Sequence, residues 1–198
     1  GQIDGGDTLV SEDALADAAR RAGDTDVLIN RHIHVRDLAD ERIRSVTAPN
    51  NDTLYTSAVL ELSKTPVCLT LPASGDRYLS VALMDMFTDQ TMVGHADRGG
   101  KGGTYLIVGP DSAQKDGPGV IRMPSNDVWL LARTFVAGVD DLEAARAVQS
   151  EIVVEPVDTK VKPRLFTTLA PPEMEPKSFL ALTNEVLGRS PGHPQVAR

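Results

Sequence analysis

Apolar and polar residues alternate in short runs through most of the chain, and glycines and prolines separate the runs. A period of two places successive side chains on opposite faces of a strand. The runs predict strands at 27–36, 56–62, 67–71, 78–87, 104–108, 120–123 and 128–136. Helix formers flank the first run, so a helix is the alternative there. Short strands joined by Gly/Pro turns are typical of a mainly β, antiparallel domain.

Three segments have the apolar spacing or the end signals of helices instead. The predicted helices are 11–22, 140–150 and 176–187. Asp140 and Glu143 can form a capping box, and Gly188 suits the end of the last helix. The pattern predicts a single domain over 1–198, with a core at 27–156, an extended segment and helix within 157–188 and a loose tail at 189–198.

Composition and charge narrow the possible partners. The chain has 198 residues, of which 41% are hydrophobic and 24% charged, so one domain can bury a real core. The formal net charge of −8 disfavours a nucleic-acid partner, because phosphate binding needs a basic surface. No run approaches the ~18 apolar residues of a membrane helix, so membrane contact would need a segment absent from this sequence. The glycine-rich segment 99–103 lacks the phosphate-loop spacing and predicts a hairpin loop.

A histidine pair lies on the first predicted strand. Asn30, His32, His34 and Arg36 share one parity there, opposite an apolar set. Histidines two apart on a strand point the same way and could chelate a metal, as in a cupin-like centre. That centre also needs a glutamate and a later histidine in suitable places. We therefore predict a polar strand face without a metal.

The stretch PNNDTLY at 49–55 concentrates hydrogen-bonding groups before a strand. Asn50 and Asp52 can turn the chain by bonding its backbone, which is the common role of such residues. The functional alternative is a set of polar groups beside a cleft, with Thr53 and Tyr55 contributing. Local rules favour the turn.

Two further side chains are candidates for a site. Asp85 has the parity of apolar Leu83, and we expect it to pair with Arg133 or Arg36, or to line a pocket. Facing Asp52, it would form a carboxylate pair for acid–base chemistry. Trp129 is expected in the core or in a pocket wall.

Several stretches resemble the bacterial domain-of-unknown-function family 1254. They are NRHIHVRDLAD at 30–40, PNNDTLYTSAVLEL at 49–62, GDRYLSVALMDMFTD at 75–89, GGTYLIVGP at 102–110 and WLLARTFVAGVDDLEAARAVQ at 129–149. The resemblance implies a β-sandwich or barrel-like domain with about three peripheral helices. It also implies export to the periplasm or an inner-membrane anchor facing it, and a jelly-roll-like partner domain in a separate chain. Residues matching the signatures are His34, Arg36, Asn50, Asp52, Thr53, Tyr55 and Asp85.

Three functions follow as hypotheses. The leading one is a periplasmic or envelope domain that binds a polar small molecule or glycan in a cleft lined by those seven residues, with no cofactor. The second is a hydrolase- or lyase-type enzyme that uses Asp52 or Asp85 as acid or base, assisted by Tyr55 or His34. The third is a non-catalytic module that pairs with the separate partner domain.

Overall fold

The computed structural model describes residues 28–40, 50–167 and 175–190. Nine strands form in this part of the chain. They are β1 His32–Val35, β2 Thr53–Glu61, β3 Val67–Leu71, β4 Leu79–Asp85, β5 Gln90–Gly94, β6 Gly103–Val108, β7 Val120–Arg122, β8 Asp127–Phe135 and β9 Val153–Pro156. The mainly β prediction is confirmed, and the two strands without a counterpart in the sequence prediction are β5 and β9.

The strands form two open sheets. One sheet has the order β1-β2-β8-β4-β5, and all its pairs are antiparallel. The other has the order β7-β6-β3-β9, in which β6 and β7 run parallel. The barrel alternative is therefore wrong, because neither sheet closes on itself. The prediction of antiparallel pairing is wrong only for the short strand β7, which runs parallel to β6.

The core lies between the two sheets. Its members come from alternate positions of both, including Leu60, Leu83 and Leu130 of the five-stranded sheet and Leu69 and Ile107 of the other. All five are fully buried. Each sheet therefore has one face in the core, and the five-stranded sheet keeps a second face that points away from it.

Two helices longer than one turn lie at the periphery of the described chain. A 3₁₀ turn at Val139–Asp141 leads into α2 at Leu142–Ser150, and α3 spans Pro176–Arg189. A single turn, α1, forms at His95–Arg98. The predicted helix at 11–22 lies outside the described residues, and the other two predicted helices are confirmed with shifted ends. No helix in the described part is long and apolar enough to span a membrane.

The glycine-rich segment 99–103 is not a hairpin loop. It follows α1 and carries the chain from β5 in one sheet to β6 in the other. Gly100 has φ +74°, and a side chain there would collide with the backbone of Gly75. The glycines therefore serve a tight crossing between the sheets.

A buried ion pair attaches the end of α3 to the five-stranded sheet. The Arg189 guanidinium donates to both carboxylate oxygens of Asp127, at 2.7 and 2.6 Å. Its plane also covers the ring of Phe166 at 4.0 Å. Asn126 donates from its side chain to the Arg189 carbonyl at 2.7 Å. The helix is held mainly at its C-terminal end.

Candidate binding surface

The two histidines of β1 are half-buried on the side of the strand that faces the second sheet. His34 Nδ1 lies 2.8 Å from the Thr56 hydroxyl, and His32 Nδ1 accepts the Val154 backbone N–H at 3.0 Å. The two histidine side chains of β1 therefore point towards the second sheet, where β2 and β9 supply their hydrogen-bond partners. No group of three metal-ligating side chains occurs in the part of the chain that the structure describes.

The His34 environment disfavours its protonated form. Burial, then His32, then Arg36 lower the pKa of His34 from 6.5 to about 4. At neutral pH the imidazole is uncharged, and its hydrogen bond to Thr56 serves the packing of β1 on β2.

This shift predicts an acid-sensitive contribution to stability. Between pH 6.5 and about 4 the unfolded chain binds a proton that folded His34 does not bind, so the free energy of unfolding falls as the pH falls. We expect His34→Gln to lose less stability than the natural chain between pH 7 and pH 4.5. Urea unfolding of both proteins at both pH values measures the difference. Equal losses would contradict this assignment.

Gln149 of α2 forms a buried junction beneath the ends of β1 and β2. Its side-chain amide donates to the carbonyls of Val35 at 3.0 Å and Tyr55 at 2.9 Å. Its oxygen accepts from Arg36 at 3.1 Å, and Arg36 also donates to the Ser150 hydroxyl at 2.9 Å. Arg36, a predicted ligand residue, therefore links β1 to α2.

Asp85 ends β4 and closes the turn that follows it. One carboxylate oxygen accepts the backbone N–H groups of Phe87 at 2.8 Å and Asp89 at 2.9 Å. The other oxygen is buried without a hydrogen-bond partner in the described structure. The predicted ion pair with Arg133 or Arg36 is wrong, because the partners of the carboxylate are backbone amides of its own turn, on one oxygen only.

The sheet register separates Asp85 from the PNNDTLY stretch. Asp85 lies opposite Val128 and Thr53 lies opposite Phe135, at the two ends of β8. Seven residues of strand span ~24 Å. Asp52 and Asp85 therefore do not form a carboxylate pair, and the predicted cleft does not include Asp85.

Within the PNNDTLY stretch, the described residues 50–52 bend the chain into β2, and the Asp52 carboxylate remains open to solvent. Asp52 is exposed and accepts a hydrogen bond from the Thr53 hydroxyl at 3.0 Å. Its backbone carbonyl accepts the Val136 N–H at 2.8 Å, which joins the turn to the end of β8. The Asn50 N–H donates to the Tyr55 hydroxyl at 3.2 Å. The turn and Gln149 thus fix Tyr55 from both ends.

Tyr55 belongs to the sheet face that points away from the core. We call this surface the outer face, and its central side chains are Tyr55, Ser57, Val59, Trp129, Leu131 and Arg133. Four apolar side chains on this side are strongly exposed: Val59 at 54%, Trp129 at 47%, Phe135 at 40% and Met92 at 39%. An exposed apolar area of this kind marks a binding surface.

Trp129 lies on the outer face, so its prediction as a core residue or pocket wall is wrong. Its indole N–H donates to the Ser57 hydroxyl on the neighbouring strand at 2.9 Å. This bond holds the ring across β2. The aromatic surface is therefore available to solvent in a fixed orientation.

Arg133 is the charged centre of the outer face. It lies opposite Tyr55 on one side and Ser80 on the other, between Leu131 and Phe135 along β8. It is half-buried and forms no hydrogen bond or ion pair with any described residue. The sequence contained the signal for this residue, since strand parity places Arg133 and Trp129 on one face. From the sequence we predict Arg133 only as a partner for Asp85.

A concave space opens at the other end of the sandwich. A groove of about 290 Å³ is lined by Ser63, Lys64, Asp111 and Asn126, among others. None of the seven predicted site residues lines it. His34 and Arg36 instead form structural bonds under β1 and β2, and Asp85 closes the turn after β4. The other four lie in or beside the PNNDTLY stretch.

Comparison with known proteins identifies relatives of unknown function. A family model described as "Protein of unknown function (DUF1254)" matches residues 29–156. No curated protein matches the chain.

Two solved structures are similar to this chain. The VPA0106 protein from Vibrio parahaemolyticus is 24% identical, with a TM-score of 0.60, over 71% of this chain and 37% of that one. An uncharacterized protein from Burkholderia cenocepacia is 15% identical, with a TM-score of 0.44, over 94% of this chain and 52% of that one. This chain therefore spans about a third to a half of the solved chains that it matches. The first similarity supports the fold alone.

Proposed function

We propose that this chain, which belongs to the DUF1254 family of proteins of unknown function, is a binding domain. It takes a polar small molecule or a glycan on the outer face, beside the PNNDTLY turn. The observation that carries the proposal is the exposed aromatic and apolar surface around an unpaired Arg133. Binding sites combine such surfaces with a few placed polar groups.

The geometry gives an enzyme less support than a binding domain. Asp52 and Asp85 lie at opposite ends of the sheet, and His34 hydrogen-bonds Thr56 within the fold. An acid–base mechanism needs two such groups around one reacting atom. Asp52 is the one acid candidate beside the outer face, and Tyr55 is its nearest partner in the sequence.

A second candidate function is docking to a separate partner domain. The observation that favours it is the exposed apolar surface of α3, where Phe179 is 57%, Leu180 60% and Leu187 64% exposed. The solved relatives continue well beyond the region that this chain matches. In this proposal the domain works in the periplasm or at the inner membrane, and α3 contacts the jelly-roll-like partner.

Trp129 is the chain's one tryptophan, so its fluorescence reports on the outer face alone. We expect acrylamide to quench it readily, and a bound oligosaccharide to protect it. The measurement is quenching with and without four-residue probes: a neutral glucan, a uronic acid oligomer and the methyl ester of that oligomer. Binding should also raise the melting temperature.

Matched variants control this experiment. Trp129→Leu should abolish the rise in melting temperature that the probe causes. Phe179→Leu removes an exposed aromatic ring from α3, and this variant should still show the rise. If no probe protects Trp129 or raises the melting temperature, the proposal fails. If a probe is cleaved and Asp52→Asn stops cleavage, the enzyme alternative replaces it.

A further inference from the structure

The outer face combines aromatic surface with one uncompensated positive charge. The neighbours of Arg133 within the sheet are apolar or uncharged: Leu131, Phe135, Tyr55 and Ser80. A half-buried guanidinium is usually paired, because burial of an unpaired charge is costly. This arginine has no partner in the described structure, although it is close to a tyrosine that two separate hydrogen bonds fix in place.

We infer that Arg133 recognises a carboxylate, and that the ligand is an acidic oligosaccharide such as a chain of uronic acids. This inference rests on the proposed function and names the ligand class of that same face. The guanidinium suits a carboxylate because it presents two parallel N–H donors to the two oxygens. Tyr55, which is half-buried, flanks it with a hydroxyl group suited to a neighbouring sugar oxygen.

The spacing of the outer face fits an extended ligand. Trp129 and Arg133 are four residues apart on β8, which places them ~13 Å apart on the same face. The apolar face of one sugar ring can stack on the exposed indole while the carboxylate of another reaches Arg133. Leu131 and Ser57 form the floor between them.

Two other anionic partners fit less well. A peptide that adds to a sheet bonds to free backbone groups, but β2 and β8 are already paired on both sides. A polyanionic surface such as nucleic acid or an anionic membrane would meet a chain with a net charge of −8 and one unpaired arginine on this face. A short saccharide needs no free strand edge, and it can place one carboxylate on Arg133 while the apolar face of a ring stacks on Trp129.

The test compares tetragalacturonate with its methyl ester, which keeps the sugar rings and removes the charge. Trp129 fluorescence gives the affinity for each. We expect the acid to bind at least about tenfold more tightly than the ester, and Arg133→Gln to remove that difference, since one charge-assisted hydrogen bond contributes on that order. Arg133→Lys should be intermediate, because lysine keeps the charge without the paired donors.

Lys115→Gln is the matched control, since it removes one exposed positive charge from a distant loop. It should leave both affinities unchanged, and the melting temperature of each variant establishes that it folds. If acid and ester bind equally and Arg133→Gln changes neither, the inference is overturned while the proposed function stands. If neither saccharide binds and the neutral glucan also fails to protect Trp129 or to raise the melting temperature, the proposed function falls as well. If a tetraglutamate peptide binds through Arg133 and the saccharides do not, the ligand class assigned here is wrong.

Discussion

Replacing Arg189 by methionine is expected to lower the free energy of unfolding by about 3–5 kcal/mol. The guanidinium and Asp127 are nearly inaccessible, with side-chain exposures of 2% and 7%. Removal of the arginine leaves the Asp127 carboxylate buried and uncompensated. It also removes the donors to the backbone carbonyls of Arg164 and Leu165, at 2.8 and 3.1 Å. Since α3 is held mainly at this end, the helix should detach before the sheets unfold.

Urea unfolding and limited proteolysis measure this effect. Glu143→Gln is the surface control: its pair with Arg146 is exposed and should contribute less than about 1 kcal/mol. The double variant Asp127→Leu, Arg189→Met should recover part of the loss, because it leaves no unpaired buried charge. A loss for Arg189→Met no larger than the loss for Glu143→Gln would show that this ion pair does not anchor α3.

Replacing Gln149 by leucine is expected to lower the free energy of unfolding by about 2–4 kcal/mol. The volume hardly changes, but the buried carbonyls of Val35 and Tyr55 lose their donor and Arg36 loses an acceptor. The variant should also weaken ligand binding on the outer face, since Tyr55 loses one of its two fixing bonds. Circular dichroism during urea unfolding gives the free energy of unfolding, and Trp129 fluorescence gives the affinity for the ligand.

Gln114→Leu is the control, because Gln114 is exposed on a loop. It should change neither stability nor binding. Normal stability in Gln149→Leu would contradict the role of this junction. Normal binding in a destabilised but folded variant would show that Tyr55 needs no support from α2.

Strand parity in the sequence predicted most of the five-stranded sheet. In β2 and β8 a buried residue alternates with a more exposed one, so the pattern gave their extent within a few residues. It missed β5, where Gln90, Thr91 and Met92 are all exposed and no alternation appears. It missed β9 because four residues ending in a proline carry too little pattern.

The candidate site was less predictable, because its elements come from distant parts of the chain. The polar parity of β1 predicted a polar strand face, but its partners lie more than 110 residues later: Gln149 accepts from Arg36, and the Val154 N–H donates to His32. Asp85 was correctly singled out as a buried acid, yet its partners are amides of its own turn. Sequence alone does not distinguish these partners from an arginine on another strand. Of the residues in the family signature, Tyr55 is the one that lies opposite Arg133 and also bonds to the PNNDTLY stretch, through Asn50.

The central claim is that ligands bind on the outer face and not among the inward polar residues of β1 or in the groove at the far end. Chemical-shift mapping of the isotope-labelled chain with tetragalacturonate tests it most directly. We expect the largest changes at Tyr55, the Trp129 indole and Arg133, with little change at His34. Changes centred on Ser63, Lys64 and Asp111, with Trp129 unaffected, would contradict it.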